Sequence, residues 1–152
     1  MIDIQKEHYV DTVIYSIDKI IKGLKAELKN QIETLNIGIT GEQFIVLDTI
    51  CATKNIYQQQ LSDIIMKDKS NTNRILKILE QKELIKKEYG NVKNRLVYFL
   101  LPTEKGKKIV DENIPKIKQF ITDIFKNIDN SEIEILHKLS NKFQADLSDL
   151  AQ

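Results

Sequence analysis

KDKSNTNRILKILEQKELIKK, residues 67–87, sets Ser70, Asn71, Thr72 and Asn73 in a row and then turns into an apolar pattern at helical spacing, Ile75, Leu76 and Leu79. Short polar side chains satisfy the free amides of a helix's first turn, so the pattern predicts a helix from Ser70, as N-cap, to about Gln81. Upstream, IYQQQLSDIIMKDK (56–69) has a short helical pattern through Leu61, Ile64 and Ile65, closed by a polar turn. Downstream, in ELIKKEYGNVKNRLVYFLLPTEKG (83–106), the β-prone runs 85–89 and 96–101 flank GNVKN as a predicted hairpin turn. A helix, a tight turn, a second helix and a hairpin are the layout of a winged helix, whose second helix enters the DNA major groove.

That layout gives the polar run a purpose beyond capping. The positive end of the helix dipole would point toward phosphate once Ser70 caps the helix. Asn71 and Asn73 each carry a donor and an acceptor, the pairing that matches the edge of adenine, and Thr72 can offer a methyl or assist the cap. Arg74, beside the core-facing residues, can extend to guanine or phosphate. Polar residues at a helix start commonly do no more than cap and solvate it; the surrounding motif favours the reading role here.

Charge supports the same segment. The whole chain is nearly neutral, at +1, yet residues 54–108 hold 13 Lys/Arg against 6 Asp/Glu, a net of 13 − 6 = +7, and the remainder sums to 10 − 16 = −6. A local positive field on an acidic scaffold suits a phosphate-binding module.

The flanks are helical. Val10, Val13, Ile14, Ile17, Ile20, Ile21, Leu24 and Leu28 predict a long amphipathic helix over 9–28. In NIGITGEQFIVLDTICATKN (36–55), Thr40 and Gln43 have capping-box spacing, which predicts a helix from about Gly41 to Thr53. Helical periodicity resumes over 103–125, where Pro115 is expected to bend or interrupt it. Ser131 and Glu134 make a second capping-box spacing before Leu136, Leu139, Phe143, Leu147 and Leu150. Long apolar faces at both chain ends call for a partner, and a homodimer is expected.

Other chemistry finds little support. Cys51 is the one cysteine, and His8 and His137 stand far apart, so neither a disulfide nor a metal site is expected. No Gly-rich phosphate loop or nucleophile motif marks an enzyme, and no cofactor is implied. The N-terminal stretch has charges every few residues and no run of signal-peptide or membrane-spanning length, so a cytoplasmic protein with no membrane partner is expected.

ITGEQFIVLDTI (39–50), QQLSDIIMKDKSNTNRILKILEQKELIKK (59–87) and PTEKGKKIV (102–110) together resemble the successive signatures of the MarR family of bacterial winged-helix regulators. The resemblance implies a mainly α, α+β fold with a two-stranded wing. It implies a winged helix-turn-helix over 36–108 and helical dimerisation regions over 1–35 and 109–152. It implies a sequence-specific regulator on double-stranded, pseudopalindromic DNA. Repression would be relieved by a small aromatic or phenolic effector bound between the dimerisation helices and the DNA-binding lobe, or by a cysteine oxidation. The implied DNA contacts are Gln58, Gln59, Lys69, Ser70, Asn71, Asn73, Arg74, Lys77, Lys93 and Arg95. A winged protein-interaction module that does not read DNA is the competing reading.

Three departures qualify the resemblance. The family's wing carries Asp-x-Arg; here Lys93, Asn94 and Arg95 stand in its place, keeping the arginine and losing its acidic anchor. The usual Leu-Ala pair is Leu61 and Ser62. The glycine before the first wing strand is Glu83, so that turn either avoids positive φ or accepts strain. Cys51 does not match the oxidant-sensing position of relatives in the first helix, and inert packing is expected of it.

Overall fold

The computed structural model describes residues 8–150 as six helices and one two-stranded antiparallel sheet. The chain divides into two compact units, the first ending at Pro115 and the second beginning at Lys116.

In the first unit, a 3-10 turn, Tyr9–Asp11, precedes α1, Val13–Thr34. The helix runs further than its apolar pattern predicts and starts later, the later start set by Thr12, whose hydroxyl caps it by accepting from the Tyr15 amide at 3.3 Å. Helix α2, Gly41–Ala52, opens on the predicted capping box: the Thr40 hydroxyl accepts from the Gln43 amide at 3.3 Å, and Gln43 Oε1 accepts from the Thr40 amide at 3.1 Å. Helices α3, Gln58–Ile64, and α4, Lys69–Gln81, follow. Strands β1, Ile85–Val92, and β2, Arg95–Pro102, form the wing, and α5 spans Glu104–Ile124.

The core gathers Ile32 of α1, Phe44, Leu47 and Ile50 of α2, Leu61 of α3, and Ile75, Leu76 and Leu79 of α4, with Leu84, Ile85 and Leu100 at the base of the wing. Burying each such side chain stabilises the fold by about 1.5–3 kcal/mol, and this packing holds α4 against α2 and α3. Ser62 and Thr72 are the polar exceptions in that contact. Thr72 donates to the Asp68 carbonyl at 2.9 Å, and Ser62 lies 3.0 Å from the Thr72 hydroxyl and 2.9 Å from the Gln58 carbonyl. Thr72 thus serves the α3–α4 contact and is withdrawn from any ligand.

The turn before β1 is joined to the start of α5 through Thr103 and Gly106. The Thr103 hydroxyl donates to the Glu83 carbonyl at 2.7 Å and accepts from the Gly106 amide at 3.1 Å, capping α5. A Cβ at Gly106 would stand 2.1 Å from the Leu84 carbonyl oxygen, so only glycine allows this approach.

Helix α5 continues through Pro115 without interruption, carrying the chain into the second unit. There α6 spans Asn130–Leu150. Its cap is Asp129, which accepts from Ser131 Oγ at 2.6 Å and the Glu132 amide at 3.0 Å, while Glu132 accepts from the Asp129 amide at 2.9 Å. This corrects the predicted Ser131–Glu134 box: the same spacing sits two residues earlier, where a carboxylate accepts two donors at once.

Candidate nucleic-acid interface

Helix α4 begins one residue before its predicted cap. Asp68, not Ser70, is the N-cap: Oδ1 accepts from the Asn71 amide at 2.8 Å and Oδ2 from Asn71 Nδ2 at 2.5 Å. These bonds hold the Asp68 carboxyl below its ordinary range. The positive end of the helix dipole is met by this carboxylate, which corrects the expectation that it points at phosphate.

The two asparagines separate accordingly. Two residues correspond to about 200° around a helix, so Asn71 and Asn73 face opposite ways. Asn71 is committed to the cap. Asn73 lies on the wing side, with Lys69 one turn before it, and both line a groove of about 1110 Å³ between α4, the start of α3 and the wing. Gln58, Gln59, Lys93 and Arg95 also line it, so six of the ten predicted contacts meet there. Ser70, Arg74 and Lys77, at i, i+4 and i+7, form the exposed ridge of α4 beside that groove.

The groove amides are partly engaged. Gln58 Nε2 donates to the Lys69 carbonyl at 3.3 Å, tying α3 to the first turn of α4, and Gln59 Nε2 donates to Asp63 at 3.0 Å. The cations sort more sharply. Lys87 pairs with Glu80 across the groove at 2.8 Å, Lys86 pairs with Glu88 at 2.7 Å, and Lys67 pairs with Glu42 at 2.5 Å. Among the described residues, Lys69, Arg74, Lys77, Lys93 and Arg95 enter no ion pair. Their charge is uncompensated where a polyanion would lie.

The hairpin turn is tighter than expected. Val92 pairs with Arg95, leaving Lys93 and Asn94 as a two-residue turn with φ of 49° and 62°. Positive φ at both positions is what a type I′ turn requires, and asparagine tolerates it. Gly90 is therefore a strand residue opposite Val97; a Cβ there would stand 2.0 Å from the Phe99 ring, which occupies the space instead. Without the family's acidic anchor, Arg95 is placed by the turn itself, as the first residue of β2.

Glu83 adopts φ of 60°, so the turn before the wing accepts the strain of a side chain in the left-handed region. Sequence reasoning missed three features: the Asp68 cap, the Lys87–Glu80 tie, and a pair of exposed tyrosines, Tyr89 and Tyr98, directly opposite each other on the wing. The last is visible in the sequence only once the turn is placed at Lys93–Asn94.

Cys51 is half-buried, and burial, with Asp48 and Asp111 nearby, pushes its thiol up to about 11. It is a protonated, poorly nucleophilic thiol at neutral pH. His8 and His137 are exposed, and no group of three His, Cys, Asp or Glu among the described residues could hold a metal ion. No described helix is long and apolar enough to cross a membrane.

Comparison with known proteins agrees with this architecture. The MarR family model matches residues 39–94, from the start of α2 to the wing turn. An uncharacterized helix-turn-helix transcriptional regulator of Bacillus subtilis (strain 168), YybA, is 32% identical over 80 residues, which span about half of each chain, 53% in both cases. Among solved structures, a MarR/EmrR-family regulator from Acinetobacter sp. ADP1 superposes with a TM-score of 0.81 at 19% identity, covering 93% of this chain and 99% of that one. S. aureus MepR, solved with DNA, gives 0.77 at 19% identity over 92% and 99%. A Listeria monocytogenes protein assigned to the MarR family, solved with a 26mer DNA, gives 0.75 at 28% identity over 90% and 89%. The fold is that of the MarR-family transcriptional regulators.

Proposed function

With the MarR-family winged helix of residues 39–94 as premise, we propose that the chain is a sequence-specific double-stranded DNA-binding transcriptional regulator. The observation that carries this reading is the set of five cations without ion-pair partners, Lys69, Arg74, Lys77, Lys93 and Arg95, spread over α4 and the wing. Helix α4 enters the major groove, with Asn73 and Arg74 toward base edges and Lys69 and Lys77 toward phosphates. Arg95, at the wing tip, meets the adjacent minor groove. Gln58 and Gln59 sit where the first helix of such a motif crosses the backbone.

The regulator acts as a homodimer on a pseudopalindromic site, the regions 1–35 and 109–152 supplying the contacts between copies. Exposed apolar stripes on α1 and α6 support this, since a stripe of that length is covered by a partner in solution. Repression by occupancy, relieved by a small aromatic or phenolic effector, is the proposed output. A cleft of about 270 Å³ lined by Leu28, Ile32, Ile45, Val46 and Ile65, together with Lys25, Lys29 and the paired Glu42 and Lys67, suits a single-ring ligand.

Fluorescence anisotropy against AT-rich duplex at increasing salt tests the reading. With five such cations per subunit, some of them on bases, the expected slope of log affinity against log salt lies between about −4 and −9. Absence of detectable binding at low salt would overturn it in favour of a protein-interaction module.

A further inference from the structure

The wing carries an aromatic pair that the contacts above do not use. Tyr89 of β1 and Tyr98 of β2 are directly opposite in register, their ring centroids 4.5 Å apart, and they are 70% and 46% exposed. Alternation along the strands puts them on the same face as Lys87 and Leu100, and as Leu96 and Asn91 nearer the tip. That face looks toward α4, because its Lys87 reaches Glu80 of α4 at 2.8 Å.

The two hydroxyls lie 2.8 Å apart; with Tyr98, the less exposed of the pair, donating, the Tyr89 oxygen accepts and keeps its own proton for an acceptor elsewhere. Among the described residues Tyr89 makes no other hydrogen bond. The carboxylate nearest in sequence, Glu88, points to the opposite face and is paired with Lys86. Accepting from Tyr98 polarises the Tyr89 hydroxyl and strengthens it as a donor. A strong neutral donor on the exposed, α4-facing side of the wing, between Lys87 and the turn at Lys93, suits an anionic oxygen on an extended polyanion.

We propose that Tyr89 donates to a phosphate of the DNA backbone and that Tyr98 is the positioning residue that aims it. The inference rests on the DNA-binding reading above and adds a contact to it. A cross-strand tyrosine pair also stabilises a hairpin through its rings. Tyr→Phe substitutions keep those rings and remove the hydroxyls alone.

The test is fluorescence anisotropy of the full chain with a mixed-sequence duplex long enough for two half-sites, comparing wild type, Tyr89→Phe, Tyr98→Phe and Lys93→Ala. Tyr89→Phe is expected to weaken binding about three- to tenfold, the net worth of one solvent-exposed hydrogen bond. Tyr98→Phe should weaken it about twofold, since the donor remains and only its aim is lost. Neither should change the salt slope, because a neutral hydroxyl displaces no counterion, whereas Lys93→Ala should lower the slope by about 1.

Wild-type affinity in Tyr89→Phe, in a protein whose Lys93→Ala slope falls as expected, overturns the tyrosine contact and leaves the DNA reading intact. Failure of the wild type to bind any duplex overturns both. On the unsubstituted protein, duplex should slow acetylation of Tyr89 by N-acetylimidazole, read by mass spectrometry. Equal rates with and without duplex would also overturn the proposal.

Discussion

At residue scale, the start of α4 depends on a choice between two capping residues. Ser70 and Asp68 lie two positions apart, and either could end the turn after α3. Asp68 is used because its carboxylate accepts two bonds from Asn71 while Thr72, fixed by its place in the core, bonds back to the Asp68 carbonyl. The burial that sets this register is a tertiary fact, so the sequence could indicate a cap near 70 and not which residue fills it. The pH dependence follows in sign. A carboxyl held below its ordinary range stabilises the fold fully above the unfolded aspartate value of about 3.9, and that stabilisation is lost as pH falls through the depressed value. Asp68→Ala should lower the thermal midpoint by about 2–4 °C at pH 7 and by less at pH 3, a convergence that calorimetry can check. Glu83 poses the opposite case. Relief of a left-handed side chain is worth about 1–2 kcal/mol, and the added freedom of glycine in the unfolded chain takes back about 0.5–1. Glu83→Gly is therefore expected to stabilise by about 0.5–1 kcal/mol in urea denaturation; a destabilised variant would mean that the turn is not strained.

At the scale of elements, the wing was legible as a hairpin but not in its details. GNVKN contains a glycine, and a glycine near a turn is ordinarily the turn residue. Here the ring of Phe99 covers Gly90, so the glycine holds a packing position in β1 and the strands extend to Val92 and Arg95. Gly90→Ala, by forcing that ring aside, should cost about 1–3 kcal/mol. The two reading elements should also fail differently. Arg74→Ala, on the exposed ridge of α4, is expected to cost about 1–3 kcal/mol of specific binding and to narrow the gap between operator and scrambled duplex. Arg95→Ala should weaken binding while leaving major-groove preference in place. Electrophoretic competition with operator and scrambled duplexes distinguishes the two, and unchanged discrimination in the α4 variant would refute its base-reading role.

For the whole molecule, the apolar periodicity of the terminal helices was plain in the sequence, whereas what covers it cannot be read from one chain. Ile14, Ile17 and Ile21 on α1, and Leu136, Leu139, Phe143 and Leu147 on α6, are each at least 40% exposed in the isolated subunit. A second copy gives these stripes a partner, and it gives two reading heads one rigid spacing, so that a duplex with two half-sites is held far more tightly than either half alone. Charge placed within the stripes tests this without touching the core of the winged helix. The double substitution Ile17→Glu with Leu139→Glu would bury two carboxylates in the proposed contact, each costing several kcal/mol if it stays ionised, enough to dissociate a dimer at micromolar concentration. Sedimentation equilibrium should show a dimer for the wild type and a monomer for the variant, and circular dichroism should show a helical content close to that of the wild type. Affinity for a duplex carrying two half-sites should then fall to that for a single half-site. A wild type that sediments as a monomer, or a variant that remains dimeric, would mean that these stripes are not where two copies meet.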